Sequence, residues 1–170
     1  IPLTNHHLLE QNEVMKKFYG RVPLEFAASF FYFHKKGIVQ EMIHKLKYKG
    51  QEEIGEAIGY WYAEELKNIE IIISADFIIP VPLHKKRRKE RGYNQVDSFG
   101  KALSDVLGIP FDETILRRNV YSKTQTKKNL LDRTEVKEAT FEAVFNENHH
   151  GKHFILIDDV ITTGSTLETC

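Results

Sequence analysis

The run Phe154-Ile155-Leu156-Ile157-Asp158-Asp159-Val160-Ile161-Thr162-Thr163-Gly164-Ser165-Thr166-Leu167 constrains this chain more than any other stretch. Its first four residues are apolar and read as a buried strand, because a parallel strand covered on both faces is continuously hydrophobic instead of alternating. Two carboxylates mark the strand's exit. Small hydroxyl residues around Gly164 follow, where short side chains let backbone N–H groups turn inward around an anion. Negative charge beside an anion nest suits a ligand that carries both hydroxyls and a phosphate. Carboxylates accept hydrogen bonds from vicinal hydroxyls, while amides and Thr or Ser hydroxyls donate to phosphate oxygens. A 5-phosphorylated ribose satisfies both halves. The bland alternative is an ordinary strand, N-cap and helix with incidental acids. Competing phosphate motifs are absent: no Lys follows Gly164 as a P-loop requires, and no G-x-G-x-x-G occurs in the sequence.

In this order, apolar residues, two acids and a Thr-Thr-Gly-x-Thr loop resemble the phosphoribosyl pyrophosphate (PRPP) motif of type I phosphoribosyltransferases. The resemblance implies that Asp158 and Asp159 are the catalytic pair that holds the ribose hydroxyls. It also implies that Val160, Ile161, Thr162, Thr163, Gly164, Ser165 and Thr166 wrap the ribose and its 5′-phosphate.

At 170 residues the chain suits one domain, long enough to bury about 70% of its unfolded surface. Net charge is zero, so any preference for nucleic acid or membrane must come from local clustering. A single cysteine, Cys170, excludes an internal disulfide and points to a reducing compartment. No apolar run approaches the roughly 18 residues that span a bilayer, and the N-terminus lacks a signal-peptide pattern. The expected location is cytoplasmic. The chain opens at Ile1 and stops at Cys170, about one turn beyond Gly164, so the C-terminal edge of the sheet is expected to be cut short.

Taken in order, the N-terminal segment carries His6 and His7, which lack the further ligands a zinc site needs. Pro23 to Phe33 is aromatic and reads as one or two β-strands, for packing more than for base stacking. Ile38, Met42, Ile43 and Leu46 recur at helical spacing, and Gly50 is a stop. A helix over Glu52–Lys67 places Ile54, Ile58, Trp61 and Tyr62 on one face. Between these helices, Lys47 and Lys49 belong either to a solvated helix end or to a ligand phosphate.

Ile71–Ile73 and Phe77–Val81 are β-like, and Pro80-Val81-Pro82 ends the second. His84 to Gln95 then reads as an exposed basic loop at the strand exit, where open α/β sheets bind ligands. A helix with Val96, Phe99, Leu103, Val106 and Leu107 on one face ends at Gly108. Ile115–Arg118 is a strand candidate. Tyr121 to Lys128 reads as a mobile loop before a helix over Asn129–Glu138, and it fits a lid with Arg118, Gln125 and Arg133 as ligand contacts. Phe141–Phe145 is a short strand, and Asn146–Lys152 a turn into the motif.

Ile79-Pro80-Val81-Pro82-Leu83-His84, Arg91-Gly92-Tyr93-Asn94-Gln95, Thr124-Gln125-Thr126, Leu46-Lys47-Tyr48-Lys49-Gly50 and the Asp158–Gly164 run together resemble the ComF branch of the phosphoribosyltransferases, over about Gly20 to Leu167. That resemblance implies an α/β fold: a central parallel sheet with helices on both faces, residues 1–70 as an N-terminal hood with flanking helices, and 71–170 as the phosphoribosyltransferase core of one compact domain. Members often carry a four-cysteine zinc element that this chain does not contain.

It further implies transfer of phosphoribosyl from PRPP to an unidentified nitrogen acceptor with release of pyrophosphate, in a protein linked to DNA uptake. His84, Lys85, Arg87, Arg88 and Arg91 would meet the pyrophosphate, with Mg²⁺ held mainly by substrate oxygens and water instead of a protein cage. The competing reading is a non-catalytic factor that senses PRPP or a nucleotide and binds single-stranded DNA through its basic segments, with Tyr93 and Tyr121 stacking on bases. A homodimer is compatible with either.

Overall fold

In the computed structural model, which describes residues 1–118 and 140–170, the parallel strand pair at the centre is β1 (Phe77–Pro80) and β4 (Phe154–Ile157). The register runs Phe77 with Phe154 through Pro80 with Ile157. On the other side of β1, Phe111 forms a parallel bridge to Ile78, with the Ile78 amide donating to Pro110 and the Asp112 amide donating to Ile78. A separate antiparallel pair joins β2 (Leu116–Arg118) to β3 (Phe141–Ala143). The fold is α/β, with a small sheet.

Successive side chains of a strand point to opposite faces, and here that alternation sorts the core into two halves. Ile78, Ile155 and Ile157 face one apolar cluster, which includes Phe30, Tyr62, Leu66 and Leu103. Phe77, Ile79, Phe154 and Leu156 face a second, built with Ile115, Leu116 and Phe141. Both faces of the pair are covered, as the unbroken apolar run 154–157 requires.

The helical layer is α2 (Ile38–Tyr48), α3 (Glu52–Leu66) and α6 (Asp97–Leu107), all expected from periodicity. Gly50 (φ +67°) and Gly108 (φ +69°) are both left-handed just past α2 and α6. The faces differ from the pattern read off the sequence. In α2 it is Val39 that is buried, while Ile38 is 53% exposed. In α3 the face turned inward carries Gly55 and Gly59 beside Tyr62, Ala63 and Leu66, and Trp61 is partly exposed. The glycines let α3 lie directly on α6: a Cβ on Gly59 would sit 2.7 Å from both Ala102 Cβ and the Phe99 carbonyl oxygen.

Three sequence readings are corrected. Residues 23–33 form no regular strand: one antiparallel bridge joins Phe31 to Leu3. With no ladder to join, the aromatics pack instead, Phe30 stacking on Tyr62 at 4.2 Å and meeting Trp61 edge-on at 5.0 Å. Ile71–Ile73 is not β-like; it lies in the short helix α4 (Glu70–Ile73), where burial of Ile72 outweighs β-branched propensity. The basic stretch is not an open loop. Lys85–Arg91 forms helix α5, because seven straight-chain polar residues are good helix formers and are bracketed by His84 as cap and Gly92 at φ +86° as stop. The remaining helices are α1 (Glu13–Lys16) and α7 (Ser165–Thr169). The expected loop Tyr121–Lys128 and helix Asn129–Glu138, with Gln125, Arg133 and Tyr121, lie outside the described residues.

Gly59→Ala is expected to lower stability by about 1–3 kcal/mol through overpacking against backbone. Helix propensity alone would favour Ala by about 0.5–1 kcal/mol. The sign of the shift in urea midpoint decides between them.

Candidate functional site

Because β1 and β4 run parallel, both strands exit on the same edge of the sheet. The loops after Pro80 and after Ile157 therefore start side by side, and the Val81 amide donates to the Ile157 carbonyl at 2.9 Å. From β4 the chain turns through Asp158 to Gly164, which is left-handed (φ +83°) and opens α7. Asp158 and Val160 to Leu167 enclose a recess of about 30 Å³. Thr162, Thr163, Ser165 and Thr166 are exposed around it, with the Thr163 and Ser165 hydroxyls 3.0 Å apart.

The back of this loop is held by the N-terminal segment. A Cβ on Gly164 would meet the Phe18 ring at 3.0 Å, so both the backbone angle and the space select glycine. Arg21 donates to the Thr163 carbonyl at 2.8 Å and to the Lys17 carbonyl at 2.9 Å, and its guanidinium pairs with Glu168. Neither Phe18 nor Arg21 was foreseen from sequence, since nothing local to them signals a partner more than 140 positions away.

The two carboxylates differ in surroundings. Asp159 Oδ2 accepts from Gln95 Nε2 at 2.7 Å and forms an ion pair with Lys47 Nζ at 2.6 Å. Asp158 Oδ1 accepts the Asp159 amide at 2.8 Å. Among the described residues, Asp158 Oδ2 and Asp159 Oδ1 carry no further hydrogen bond, so each acid presents one open oxygen. Burial, then the charge of Asp159, pushes the Asp158 carboxyl up to about 6, against weaker lowering by its bond to the Asp159 amide and by Lys47 and Arg118. Arg118 thus acts on Asp158 through space, and its guanidinium lies 5.1 Å from the Phe141 ring.

The five cations expected at the pyrophosphate divide. Lys85, Arg87 and Arg88 are exposed on α5, and Arg88 pairs with Glu113 at 3.2 Å, on the side of β1 away from β4. His84 caps the helix, its Nδ1 accepting the Lys86 amide at 3.2 Å. Arg91 reaches the acids indirectly: it donates to Gln95 Oε1 and lies over the Tyr48 ring at 5.4 Å. Tyr93 donates its hydroxyl to the Leu46 carbonyl, and the buried Asn94 donates to Val81 at 3.0 Å. Arg91 to Gln95 is therefore a junction joining the end of β1, the end of α2 and the carboxylates.

A cavity of about 510 Å³ is lined by Asp158 and Asp159, by the N-terminal aromatics, Phe26, Phe30 and Phe31 among them, and by residues of β4. His6 and His7 are buried in that N-terminal segment, His6 Nδ1 lying 3.0 Å from the Ser29 hydroxyl. Among the described residues no three His, Cys, Asp or Glu side chains converge as metal ligands. No helix among the described residues is long and apolar enough to cross a membrane.

Comparison with known proteins finds similarity to competence protein F of Haemophilus influenzae, 33% identical over 130 residues, covering 74% of this chain and 57% of that protein. Competence protein ComFC of Bacillus subtilis is 30% identical over 131 residues, covering 76% of this chain and 50% of the relative. DNA utilization protein YhgH of Escherichia coli K12 is 29% identical over 136 residues, covering 74% and 56%. The chain spans about half the length of the curated relatives it matches. No family model matches it, and no solved structure matches at a significant level.

An acid whose carboxyl titrates higher in the folded state binds more protons folded than unfolded, so stability falls as pH rises through the interval between the two values. For Asp158 that interval runs from about 4 to about 6, and the loss persists at neutral pH. Asp158→Asn keeps the acceptor for the Asp159 amide without the charge. It is expected to unfold at higher denaturant than the parent at pH 7–8, by up to about 3 kcal/mol, and the gap should close below pH 4.

Proposed function

The chain belongs to the ComF family of competence proteins, and from that premise we propose that it binds PRPP and transfers its phosphoribosyl group to a nitrogen acceptor in the cytosol, in the service of DNA uptake or utilisation. One observation carries the reading: twin acids, each with an open oxygen, stand at the exit of a parallel strand directly before a recess lined by Thr and Ser around a left-handed glycine. The open oxygens of Asp158 and Asp159 accept the two ribose hydroxyls, and the loop from Val160 to Thr166 donates to the 5′-phosphate. The cavity beside the acids receives the acceptor.

In the reaction the bond from C1 of the ribose to pyrophosphate breaks, the electron pair leaving with pyrophosphate. A bond from C1 to nitrogen forms, and the nitrogen loses a proton. Little covalent work falls to the protein; its tasks are to place the ribose, to neutralise the leaving group with Arg91 and neighbouring cations, and to exclude water. Magnesium, when bound with the substrate, supplies charge neutralisation at the pyrophosphate.

Incubation with PRPP, Mg²⁺ and a panel of bases and amines should release pyrophosphate with at least one of them. Asp158→Asn and Asp159→Asn should each weaken PRPP binding roughly 10- to 150-fold, the loss of one charge-assisted hydrogen bond. Unchanged affinity in both variants, measured by calorimetry, would remove the site from these residues.

The exposed cations of α5 favour a second reading, single-stranded DNA binding without catalysis, and the names of the relatives point to DNA as well. In it the half-buried Tyr93 ring, oriented by the bond from its hydroxyl to the Leu46 carbonyl, is the stacking candidate among the described residues. Under this reading Lys85→Glu combined with Arg87→Glu lowers the slope of log affinity against log salt by at least the ~0.7 per phosphate contact that single strands show, for two contacts. A slope that does not move excludes α5 as the DNA-binding element.

A further inference from the structure

Three segments far apart in sequence meet at one carboxylate oxygen. Lys47 comes from the last turn of α2, Gln95 from the junction after α5, and Asp159 from the exit of β4. Lys47 and Gln95 both bind Asp159 Oδ2, and neither touches Oδ1. The Lys47 and Asp159 side chains are only 23% and 10% exposed, so their attraction is much less screened than that of a surface pair. The two donors are themselves anchored. Arg91 donates to Gln95 Oε1, which turns the Gln95 amide nitrogen toward Asp159. Tyr93 binds the Leu46 carbonyl, and Arg91 lies over Tyr48, so the two neighbours of Lys47 are both fastened to the same junction.

We propose that Lys47 and Gln95 are positioning residues: they occupy Asp159 Oδ2 and so hold Oδ1 at the orientation that receives one ribose hydroxyl, while tying the N-terminal helices to the sheet edge. This rests on the PRPP reading of the site. Lys47 is then not a ligand of the substrate phosphates; its charge serves the acid pair. The charged groups that face Asp158 and Asp159 are Lys47 from α2, Arg118 from β2 and each other, with the Cys170 thiol close enough to feel both Asp158 and Arg118. Of these Lys47 alone contacts a carboxylate directly among the described residues. Its removal leaves two adjacent acids repelling each other with less compensation, and the Asp158 carboxyl, which Lys47 lowers, must titrate higher.

The test compares the parent with Lys47→Met, Lys47→Arg and Gln95→Met in two measurements. The first follows the side-chain carboxyls of Asp158 and Asp159 by carbon-detected NMR titration without ligand. The second measures PRPP affinity, with Mg²⁺, from pH 5 to 8. Lys47→Met should raise the Asp158 midpoint, move the acid limb of PRPP binding upward with it, and weaken binding about tenfold at pH 7. Lys47→Arg keeps the charge and should restore both midpoints. Gln95→Met should weaken binding severalfold with a smaller shift, and it serves as an independent probe should Lys47→Met fail to fold.

Loss of affinity in Lys47→Met with unmoved midpoints overturns the proposal in favour of direct phosphate contact. Unchanged affinity and midpoints overturn it outright. A parent protein that binds no PRPP, while Lys47→Met still shifts the carboxyl titration, removes the proposed function but leaves the link between Lys47 and the acids standing.

Discussion

The parallel pairing of β1 with β4 is the constraint on which the rest of this structure depends. Parallel strands send their exits to one edge, and here those exits are a proline-stopped turn leading to basic helix α5 and an acid pair leading to a hydroxyl-rich loop. Had the strands been antiparallel, the same residues would lie at opposite ends of the sheet. The pairing is stabilised by burial on both sides: alternate side chains of the two strands enter two separate apolar clusters. A register slip of one residue would exchange those clusters and turn Ile78 and Ile157, both nearly inaccessible, to the wrong face.

Upon this edge the protein places unfavourable electrostatics. Two neighbouring acids, one of them substantially buried, repel each other and lose hydration, which is why the Asp158 carboxyl is pushed up to about 6. Perturbed carboxylates of this kind cluster at functional sites, where local stability is set against function. The compensation comes from the N-terminal region. Lys47 neutralises one acid, and Arg21 secures the loop that follows by binding the Thr163 carbonyl and Glu168. The N-terminal segment thus shapes the site by direct contact, beyond covering the sheet.

The same region supplies the cavity wall. Its aromatics do not form the strands that their composition suggests; they gather around Tyr62 and Trp61, and with residues of β4 and the two acids they line one cavity. The cavity lining is mainly apolar, with Asp158, Asp159 and Gln95 among its polar residues.

Sequence alone determined the local elements and the chemistry of the loop. Helical periodicity marks α2, α3 and α6, with glycine stops after α2 and α6, an unbroken apolar run marks β4, and acids, hydroxyls and Gly164 in that order mark the loop after it, because these signals are carried by residues adjacent in the chain. Only the tertiary structure decided which faces are buried, that Gly55 and Gly59 set the closeness of α3 to α6, that Ile71–Ile73 is helical, and that Lys47, Gln95, Phe18 and Arg21 belong to the site. Those facts depend on pairs separated by tens to more than a hundred residues. Hydrogen bonds and packing act on distance in space, and a one-dimensional pattern holds no record of that distance until the sheet has closed.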